Sequence, residues 1–398
     1  MSSTPPPSSQ QAGGRFGLTE EQDDIARMVR AFADDEIAPH AIDWDEREHF
    51  PREVLVQAAG LGLGAIYTRE EHGGSGMSRM DAALIFEALA TGCPTVSAHL
   101  SIHNMATWMV DAFGSDELRA RYIPRLAAMN LLGAYCLTEP GAGSDASSLQ
   151  ARATYDAAAD EYVLSGVKQF ISGAGAAGMY VVMARTGEPG SGPRGITAFV
   201  VDDGTPGLSF GKHERKMGWR AQPTAQLLLD DVRVPAANRL GDEGTGFRIA
   251  MAGLDGGRIN IGACSLGGAQ SALEKSVQYT REREQFGAPI AELQSVQFTL
   301  ADMATDLEAA RALLWRAAAA LDAGHPSKTR LCAMAKRTAT DLGFDIADRA
   351  LQLHGGYGYL TEYGIEKLVR DLRVHRILEG TNEVMRLIVA RDPLGTGA

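Results

Sequence analysis

A single carboxylate near the end of the chain, Glu379, has surroundings suited to acid–base chemistry. It lies in the segment Leu378-Glu379-Gly380-Thr381-Asn382, between two runs of apolar residues with helical spacing. Gly380 predicts a left-handed end to the first run, and Thr381 or Asn382 predicts an N-cap for the second. A carboxylate held in an apolar break between helices gains a raised pKa and becomes a useful base. Taken alone, the pattern is explained better by an ordinary solvated glutamate at a helix end.

Two stretches in the middle of the chain have the composition of loops that contact a planar ring. The first runs from Tyr135 to Asp145 and combines small residues with free backbone amides, which can hydrogen-bond the edge of such a ring. The second, Phe170-Ile171-Ser172, offers an aromatic face and a hydroxyl. Neither is specific by itself, since a glycine-rich turn between domains has the same composition as the first.

Two further patterns imitate known sites and are explained better in other ways. Gly173–Gly178 is a literal GxGxxG, but a dinucleotide-binding motif needs a helix after it, whereas Met179–Arg185 predicts a strand. His99 and His103 are four residues apart on one helical face, yet no third ligand accompanies them. We therefore expect no nicotinamide Rossmann site and no metal site, with both histidines in packing or capping roles.

The elements that must position these groups begin with helices. Capping boxes at Thr19–Gln22 and Ser78–Asp81 each precede an apolar helical face, and a clean apolar stripe runs from Ile102 to Phe113. We expect a helical domain over residues 16–133.

The middle and the end of the chain have different patterns. Residues 134–245 contain short β-rich runs split by Gly, Pro and Asp, which predict an all-β domain of the barrel-like or sandwich type. Helical spacing returns over residues 246–398 and predicts a helical bundle. The predicted strands are Glu161–Val167, Met179–Arg185, Gly195–Asp202 and Thr224–Val234.

The composition argues against several classes of partner. A formal net charge of −12 over 398 residues disfavours nucleic acid or an anionic membrane surface as the main partner. Four widely spaced cysteines fit neither metal-binding pairs nor a disulfide framework and indicate a reducing compartment. Residues 1–15 are predicted to be a disordered tail. Since this tail has no apolar run and no Arg-rich amphipathic pattern, we expect a cytoplasmic protein without membrane insertion.

Together the motifs resemble those of the acyl-CoA dehydrogenases, and the resemblance extends from about Phe16 to Arg391. It implies an α+β multidomain fold with an N-terminal helical domain, a middle β domain and a C-terminal four-helix bundle. It also implies FAD as the cofactor, held between the β domain, the bundle and a neighbouring subunit of a homotetramer, a dimer of dimers. The matching motifs are Tyr135-Cys-Leu-Thr-Glu-Pro-Gly-Ala-Gly-Ser-Asp145, Lys168-Gln-Phe-Ile-Ser-Gly173, Arg283-Glu-Gln-Phe-Gly287, His354-Gly-Gly-Tyr-Gly358 and Leu378-Glu-Gly-Thr-Asn-Glu383.

The resemblance also implies roles for individual residues. The flavin is implied to lie against Tyr135, Leu137, Thr138, Gly143, Ser144, Phe170, Ile171, Ser172, Thr381 and Glu383. The adenosine and pyrophosphate are implied to contact Arg283, Phe286 and Gln294, and a neighbouring subunit's FAD to contact Gln352, Leu353, Gly355 and Gly356. The CoA thioester is implied to contact Ser144, Asp255, Gly257, Arg258 and Arg391.

Glu379 matches the catalytic base of most of this family. In the isovaleryl branch the base comes instead from the helix around Gly257, so a glycine there leaves Glu379 without a rival. The resemblance implies that Glu379 removes the α-proton of the thioester while a hydride leaves the β-carbon for flavin N5. The backbone N–H of Glu379 and a ribityl hydroxyl of FAD are implied to bind the thioester carbonyl oxygen. For Arg258, an ion pair with Asp255 is a purely structural alternative.

Within the family, the chain resembles most the branch that oxidises isobutyryl-CoA in valine degradation. The implied reaction converts isobutyryl-CoA to methacrylyl-CoA and passes electrons to an electron-transfer flavoprotein. A 2-methylbutyryl-CoA or straight short-chain enzyme, a flavin oxidase and a catalytically silent helical interaction protein are the competing interpretations. Tyr357, Leu378 and the residues around Met105 fit an acyl pocket or plain core equally well. The stretches that resemble this branch are Ile85–Gly92, Ser101–Met105, Gly257–Leu266 and Gln297–Thr305.

Overall fold

Helices form the first part of the chain in the computed structural model, which describes residues 17–188 and 190–395. Both predicted capping boxes are present, with the Thr19 and Ser78 side chains accepting hydrogen bonds from the backbone N–H of Gln22 and Asp81. The predicted tail over residues 1–15 lies outside the described residues. The helices here are α1 (Glu20–Phe32), α2 (Ala41–Glu46), α3 (Arg52–Gly60), α4 (Arg79–Gly92), α5 (Pro94–Phe113) and α6 (Asp116–Ala127).

Helix α5 begins two turns earlier than its apolar stripe predicts. Pro94 occupies the first helical turn, where its missing N–H removes no helical hydrogen bond. The upstream turns lead into His103, a buried residue whose Nδ1 accepts from the Gly133 N–H at 3.0 Å while Nε2 lies 3.0 Å from the Gly64 carbonyl oxygen. The predicted packing role of His103 is thus confirmed. Within the described ranges, no three His, Cys, Asp or Glu side chains are grouped to hold a metal ion.

The middle part is a mixed sheet of eight strands in the order β6-β7-β3-β2-β4-β5-β8, with β1 parallel to β4. Strand β4 follows the Gly173–Gly178 run at once, as predicted, so the run opens no helix that could bind a dinucleotide. The strands are β1 (Gly133–Cys136), β2 (Arg152–Asp156), β3 (Glu161–Ser172), β4 (Met179–Arg185), β5 (Ile196–Asp202), β6 (Leu208–Phe210), β7 (Thr224–Pro235) and β8 (Arg239–Leu240).

The last part is a helical bundle around the long helix α7, which packs against α4, α5, α8 and α9. Gly267 permits one of these contacts, because a Cβ there would lie 2.1 Å from the Glu87 carbonyl oxygen of α4. No described helix has the length and apolar character needed to cross a membrane. The elements are α7 (Gly246–Glu282), β9 (Glu284–Gln285), β10 (Ala288–Pro289), α8 (Gln294–Asp322), α9 (Lys328–His354), α10 (Ile365–Arg373) and α11 (Asn382–Arg391). The order of helices, strands and helices confirms the predicted fold class.

A buried carboxylate, Asp371 of α10, joins the three parts of the chain. Its Oδ1 accepts from the backbone N–H of Trp219, in the loop between β6 and β7, at 2.6 Å. Its Oδ2 accepts from Lys367 Nζ at 2.6 Å and from Thr95 Oγ1 of α5 at 3.0 Å. Since Asp371 and Lys367 are both buried, each charge depends on the other for compensation.

We therefore expect the Asp371→Asn variant to be strongly destabilised, because it leaves the Lys367 ammonium buried without a counter-ion. Breaking a buried pair in this way costs about 3–5 kcal/mol of the free energy of unfolding. Urea unfolding followed by circular dichroism measures the effect, with Asp348→Asn, a position on α9 outside the buried core, as the matched control. Equal urea midpoints for the two variants would contradict the role given to this ion pair.

Candidate active site

The backbone around Glu379 has an unusual conformation. Helix α10 continues into a single 3₁₀ turn at Val374–Arg376, and both Glu379 (φ 54°) and Gly380 (φ 89°) then adopt left-handed backbone angles. The left-handed exit predicted at Gly380 is present, but the same conformation at Glu379 was not predicted. Thr381 caps α11, since its Oγ1 accepts from the Val384 N–H at 3.3 Å. A left-handed backbone conformation is uncommon for residues other than glycine, and it is often found at functional sites.

The turn is fixed from the α10 side by His375. This buried ring accepts from Trp219 Nε1 at 3.2 Å through its Nε2, and its Nδ1 lies 2.6 Å from Ser265 Oγ of α7. Burial lowers the pKa of His375 to about 3, so the ring stays neutral and its Nδ1–H donates to Ser265. The β domain and α7 thus hold the segment that carries Glu379.

The Glu379 side chain lies against α7 at Gly257. A Cβ added to Gly257 would lie 2.3 Å from Glu379 Oε2, so only glycine leaves room for the carboxylate. This Oε2 atom is buried and has no hydrogen-bond partner within the described part of the chain. Burial raises the pKa of Glu379 to about 7, while the positive charges of Lys336 and then Arg258 oppose the rise. The carboxyl group is therefore poised to take up or release a proton near neutral pH.

Several more buried polar atoms near Glu379 have unused hydrogen-bonding capacity. Tyr135 Oη, Asn260 Oδ1 and Arg258 Nε have no partner in the described ranges. Asn260 does donate through Nδ2 to Tyr67 Oη at 3.1 Å. Burial raises the pKa of Tyr135, and the negative charge of Glu379 raises it further, so Tyr135 and Glu379 are close enough to influence each other. Because buried polar atoms are normally satisfied, such a cluster indicates a ligand site.

The Tyr135–Asp145 loop is anchored by a buried ion pair. Lys168, fully enclosed within β3, donates from Nζ to Glu139 Oε1 at 2.7 Å and to the Leu137 carbonyl oxygen at 3.2 Å. Thr138 is held by its carbonyl oxygen, which accepts from the Gln169 N–H at 2.8 Å. Two matched motifs are therefore joined to each other by Lys168 and Glu139, residues that were not predicted to have a role.

Strand β3 turns Phe170 outward beside this loop. A register shift in the pairing of β3 with β7 lies between Lys168 and Ile171, and Phe170 within it has a left-handed backbone (φ 57°). The Phe170 ring is consequently 64% exposed, whereas the neighbouring Ile171 side chain is buried in the core. A bulge of this kind re-aims one side chain without breaking the sheet. Ile171 can contribute to a ligand site only through its backbone.

The predicted CoA-contacting residues are partly paired with one another. Arg258 donates to Asp255 Oδ1 at 2.7 Å, and Asp255 Oδ2 accepts from Thr329 Oγ1 at 2.6 Å. The purely structural ion pair considered for Arg258 is therefore present. The Nε–H group of Arg258 still has no acceptor among the described residues. Ser144 is exposed on the loop, and Arg391 is exposed at the far end of α11.

A second group of predicted residues lies far from Glu379. Arg283 follows α7, and a helix rise of 1.5 Å per residue places it about 40 Å along the axis from Gly257. Its guanidinium lies 5.5 Å from the centre of the Tyr357 ring, so Tyr357 belongs to this end and not to an acyl pocket beside Glu379. The exposed members of this group include Phe286, Gly355 and Gly356. Gln294 and Gln352 lie near them, at the start of α8 and the end of α9.

Comparison with known proteins identifies the architecture. Models of the N-terminal, middle and C-terminal domains of acyl-CoA dehydrogenases match residues 19–130, 134–232 and 244–394. The chain belongs to the acyl-CoA dehydrogenase family. A curated relative, the mitochondrial isobutyryl-CoA dehydrogenase of Bos taurus, is 52% identical over 95% of this chain and 90% of its own length.

Solved structures agree with this membership of the family. Butyryl-CoA dehydrogenase from Megasphaera elsdenii has a TM-score of 0.92 and 39% identity, covering 96% of this chain and 100% of that one. A chain from a study of the electron transferring flavoprotein of Acidaminococcus fermentans also scores 0.92, at 40% identity, covering 96% and 99%. The predicted enzyme class, an oxidoreductase that acts on acyl-CoA, and the predicted cofactor, FAD, are confirmed by these relationships.

The residues present fit the flavin of the family. The exposed Phe170 ring offers a flat apolar face, and nothing lies within 4 Å of the Cβ positions of Gly141 and Gly143, so the loop can be approached closely. Tyr135, at the start of the same loop, has a buried hydroxyl that is unpaired among the described residues. An aromatic face, a bare backbone and an unpaired hydroxyl are what a planar polar ring requires.

Two further side chains near Glu379 were not predicted to have a role. His375, four residues before Glu379, is held by Ser265 of α7, and Lys336 donates to the Gly380 carbonyl oxygen. Lys336 did leave a signal, because it lies four residues before Thr340 on the apolar face of α9, where an ordinary lysine would be solvated.

The contact between Gly257 and Glu379 is tested by the Gly257→Ala variant. The added methyl group would displace the Glu379 carboxylate, and a displacement of about 1 Å costs on the order of 100-fold in rate. We expect kcat/KM of acyl-CoA-dependent flavin reduction to fall by about that factor while the fold and FAD content are retained. Gly60→Ala is the matched control, since its Cβ would meet nothing within 4 Å. Activity within about twofold of wild type would show that Gly257 does not confine the carboxylate.

Proposed function

We propose that this protein catalyses the FAD-dependent α,β-dehydrogenation of a short branched acyl-CoA, with isobutyryl-CoA converted to methacrylyl-CoA. The observation that carries the proposal is the enclosed Glu379 carboxylate, with an Oε2 unpaired among the described residues and a pKa raised by burial to about 7. The branched substrate is supported by the isobutyryl-CoA dehydrogenase of cattle, with which about half of all positions are identical.

Glu379 is proposed to remove the α-proton of the thioester. Such a proton is too weakly acidic for a solvated carboxylate, so the base must be desolvated and the developing negative charge on the carbonyl oxygen must be stabilised. The backbone N–H of Glu379 has no acceptor among the described residues, which leaves it free to donate to that oxygen. Its left-handed backbone angle fixes the direction of both the N–H and the side chain.

Thr138, Phe170 and Ser172 are proposed to hold the flavin, with Tyr135 behind it. Bound FAD would supply the acceptor for the hydride that leaves the β-carbon. The protein contributes the loop anchored by Lys168 and Glu139, which fixes the wall of the site. Enclosure of the Glu379 carboxyl also keeps water away from the reacting carbons.

Asp255, Arg258, Ser144 and Arg391 are proposed to contact the CoA portion. Arg258 is oriented by Asp255, which is itself held by Thr329 of α9. The free Nε of Arg258 and the exposed Ser144 are then available to the amide and carbonyl groups of the pantetheine arm. Arg391 would act further out, at the charged end of CoA.

The proposed assembly is a homotetramer, a dimer of dimers. Large aromatic side chains are exposed at the Arg283 end of the bundle, with Phe286 94% and Tyr359 81% exposed, and such patches mark interfaces. FAD would be held there, together with a neighbouring subunit, by Arg283, Phe286, Gln294, Gln352, Leu353, Gly355 and Gly356.

The proposed electron acceptor is an electron-transfer flavoprotein. This is supported by the similar chain from the Acidaminococcus fermentans study of such a flavoprotein. A cytoplasmic location stays a prediction.

The substrate is tested by comparing isobutyryl-, 2-methylbutyryl-, butyryl- and isovaleryl-CoA with the FAD-loaded enzyme. Isobutyryl and butyryl are isomers that differ in the carbon to which one methyl group is attached. We expect kcat/KM to be highest for isobutyryl-CoA and about tenfold lower for butyryl-CoA, because a misplaced methyl group costs about 1–3 kcal/mol in a fitted pocket. A preference of about tenfold for butyryl-CoA would overturn the branched-chain assignment.

The same preparation distinguishes a dehydrogenase from a flavin oxidase and from a catalytically silent protein. Stoichiometric peroxide in air, without need of an added acceptor, would favour a flavin oxidase. A colourless protein that takes up no FAD would favour a silent interaction protein.

A further inference from the structure

We propose that Lys336 of α9 is a positioning residue for Glu379: it fixes the Gly380–Thr381 peptide in the turn that carries the base and supplies the main buried positive charge beside the carboxylate. The inference rests on the proposed function, because it concerns the protonation of the base in that reaction. No role was assigned to Lys336 by the motifs or by the family resemblance.

The contacts of Lys336 place it at the turn itself. Its side chain is 0% exposed, and Nζ donates to the Gly380 carbonyl oxygen at 2.8 Å and to Asn382 Oδ1 at 2.9 Å. These two acceptors flank Thr381, the residue that caps α11. One ammonium group therefore joins the Gly380–Thr381 peptide to the first residue of the next helix.

The amide of Asn382 is oriented so that its oxygen faces the lysine. Its Nδ2 donates to Thr340 Oγ1 at 2.9 Å and to Asp341 Oδ1 at 2.8 Å, both on α9. With both donors used in this way, the amide oxygen is left for Lys336. The turn is thus clamped to α9 at three positions of that helix, and rotation of the Gly380–Thr381 peptide would break its bond to Lys336.

The ammonium group lacks a direct ionic partner. Within the described ranges, no ion pair joins Lys336 Nζ to a carboxylate, and both of its acceptors are neutral. A buried ammonium in neutral surroundings is unfavourable unless another charge compensates it. Burial lowers the pKa of Lys336 to about 8, and the negative charge of Glu379 is the largest influence that opposes this. Lys336 and Glu379 therefore stabilise each other's charged forms.

Further charged and titratable groups surround the pair. Arg258 on α7 also lowers the pKa of Glu379, but less than Lys336 does. Arg258 is paired with Asp255 at 2.7 Å. Asp341 and Glu383 also act on Lys336. The remaining titratable groups influenced by Glu379 are Tyr67, Tyr135 and Cys264. All three are neutral at the pH of the reaction, because burial raises the pKa of each, so Lys336 is the main opposing charge.

Removal of this charge has a defined consequence for the pH profile. Without a nearby cation the ionised carboxylate is less stable, so the pKa of Glu379 rises further. Because only the ionised carboxylate can accept the α-proton, the acid limb of kcat/KM moves to higher pH. At a fixed pH below the limb the variant is slower, and raising the pH restores its rate. A purely structural defect would lower the rate at every pH and leave the limb in place.

The test compares Lys336→Met with Lys336→Arg, which keeps the charge, and with Arg47→Gln. Arg47 follows α2, and it is exposed and paired with the exposed Asp43 at 2.7 Å, so its variant removes an equal charge outside the site. The FAD-loaded holoenzyme of each is assayed with isobutyryl-CoA from about pH 5.5 to 9, with flavin content and melting temperature recorded. We expect an acid limb about one unit higher in Lys336→Met and an unchanged limb in the other two.

Two results would overturn the inference. One is an acid limb of Lys336→Met that coincides with that of wild type, and the other is an equal shift in Arg47→Gln. If Lys336→Met does not fold, the inference is tested by the salt dependence of the acid limb of kcat/KM in the wild-type enzyme. A buried pair is poorly screened, so the limb should not move between about 0.05 and 0.5 M salt, whereas a shift would assign it to surface charge. If the wild-type protein has no dehydrogenase activity at all, the proposed function is refuted. That result differs from both results that refute only the role of Lys336.

Discussion

The enclosure of one carboxylate is the constraint on which the rest of this structure depends. Glu379 Oε2 is buried without a hydrogen-bond partner among the described residues, an arrangement that is unfavourable for folding and is retained at functional sites. Its pKa is raised by burial and is held near neutrality by the positive charges of Lys336 and Arg258. This balance of effects supports the proposed role of the group as a base near neutral pH.

The surrounding elements serve this balance in different ways. Helix α7 offers a bare backbone at Gly257, which lets the carboxylate approach it, and α9 clamps the turn through Lys336. The β domain reaches the same segment through Trp219, which binds both Asp371 and His375. Three regions distant in sequence thus converge on a few residues of backbone. This convergence explains why the turn can keep a left-handed conformation at Glu379 that would be unfavourable in isolation.

The parts of the fold set by local rules could be predicted from the sequence. The capping boxes at Thr19 and Ser78 and the strand Met179–Arg185 all depend on neighbouring residues, and all are present. The start of α5 could not be placed, because its first turns are buried on all sides and have no apolar periodicity. The left-handed angle was expected at Gly380 alone, since local preference disfavours it for a glutamate. Contacts across the fold could not be predicted from spacing at all.

Two contacts between distant residues and one strand register show why spacing could not predict the interactions that cross the fold. The hydrogen bond from Lys336 to Gly380 spans 44 residues, and the ion pair from Lys168 to Glu139 spans 29. The outward turn of Phe170 depends on a register shift against β7, and a register of this kind is set by pairing and not by the sequence of one strand. Motifs therefore located the site, while the residues that tune it required the structure.

The most direct test of the central claim is anaerobic mixing of the FAD-loaded Glu379→Gln variant with isobutyryl-CoA, with the flavin absorbance followed over time. Glu36→Gln, an exposed position in the N-terminal helices, is the matched control. The account predicts that the Glu379 variant binds FAD and stays yellow, because its amide cannot accept the α-proton, while the control is bleached as rapidly as wild type. Bleaching of Glu379→Gln at the wild-type rate would contradict the assignment of Glu379 as the base.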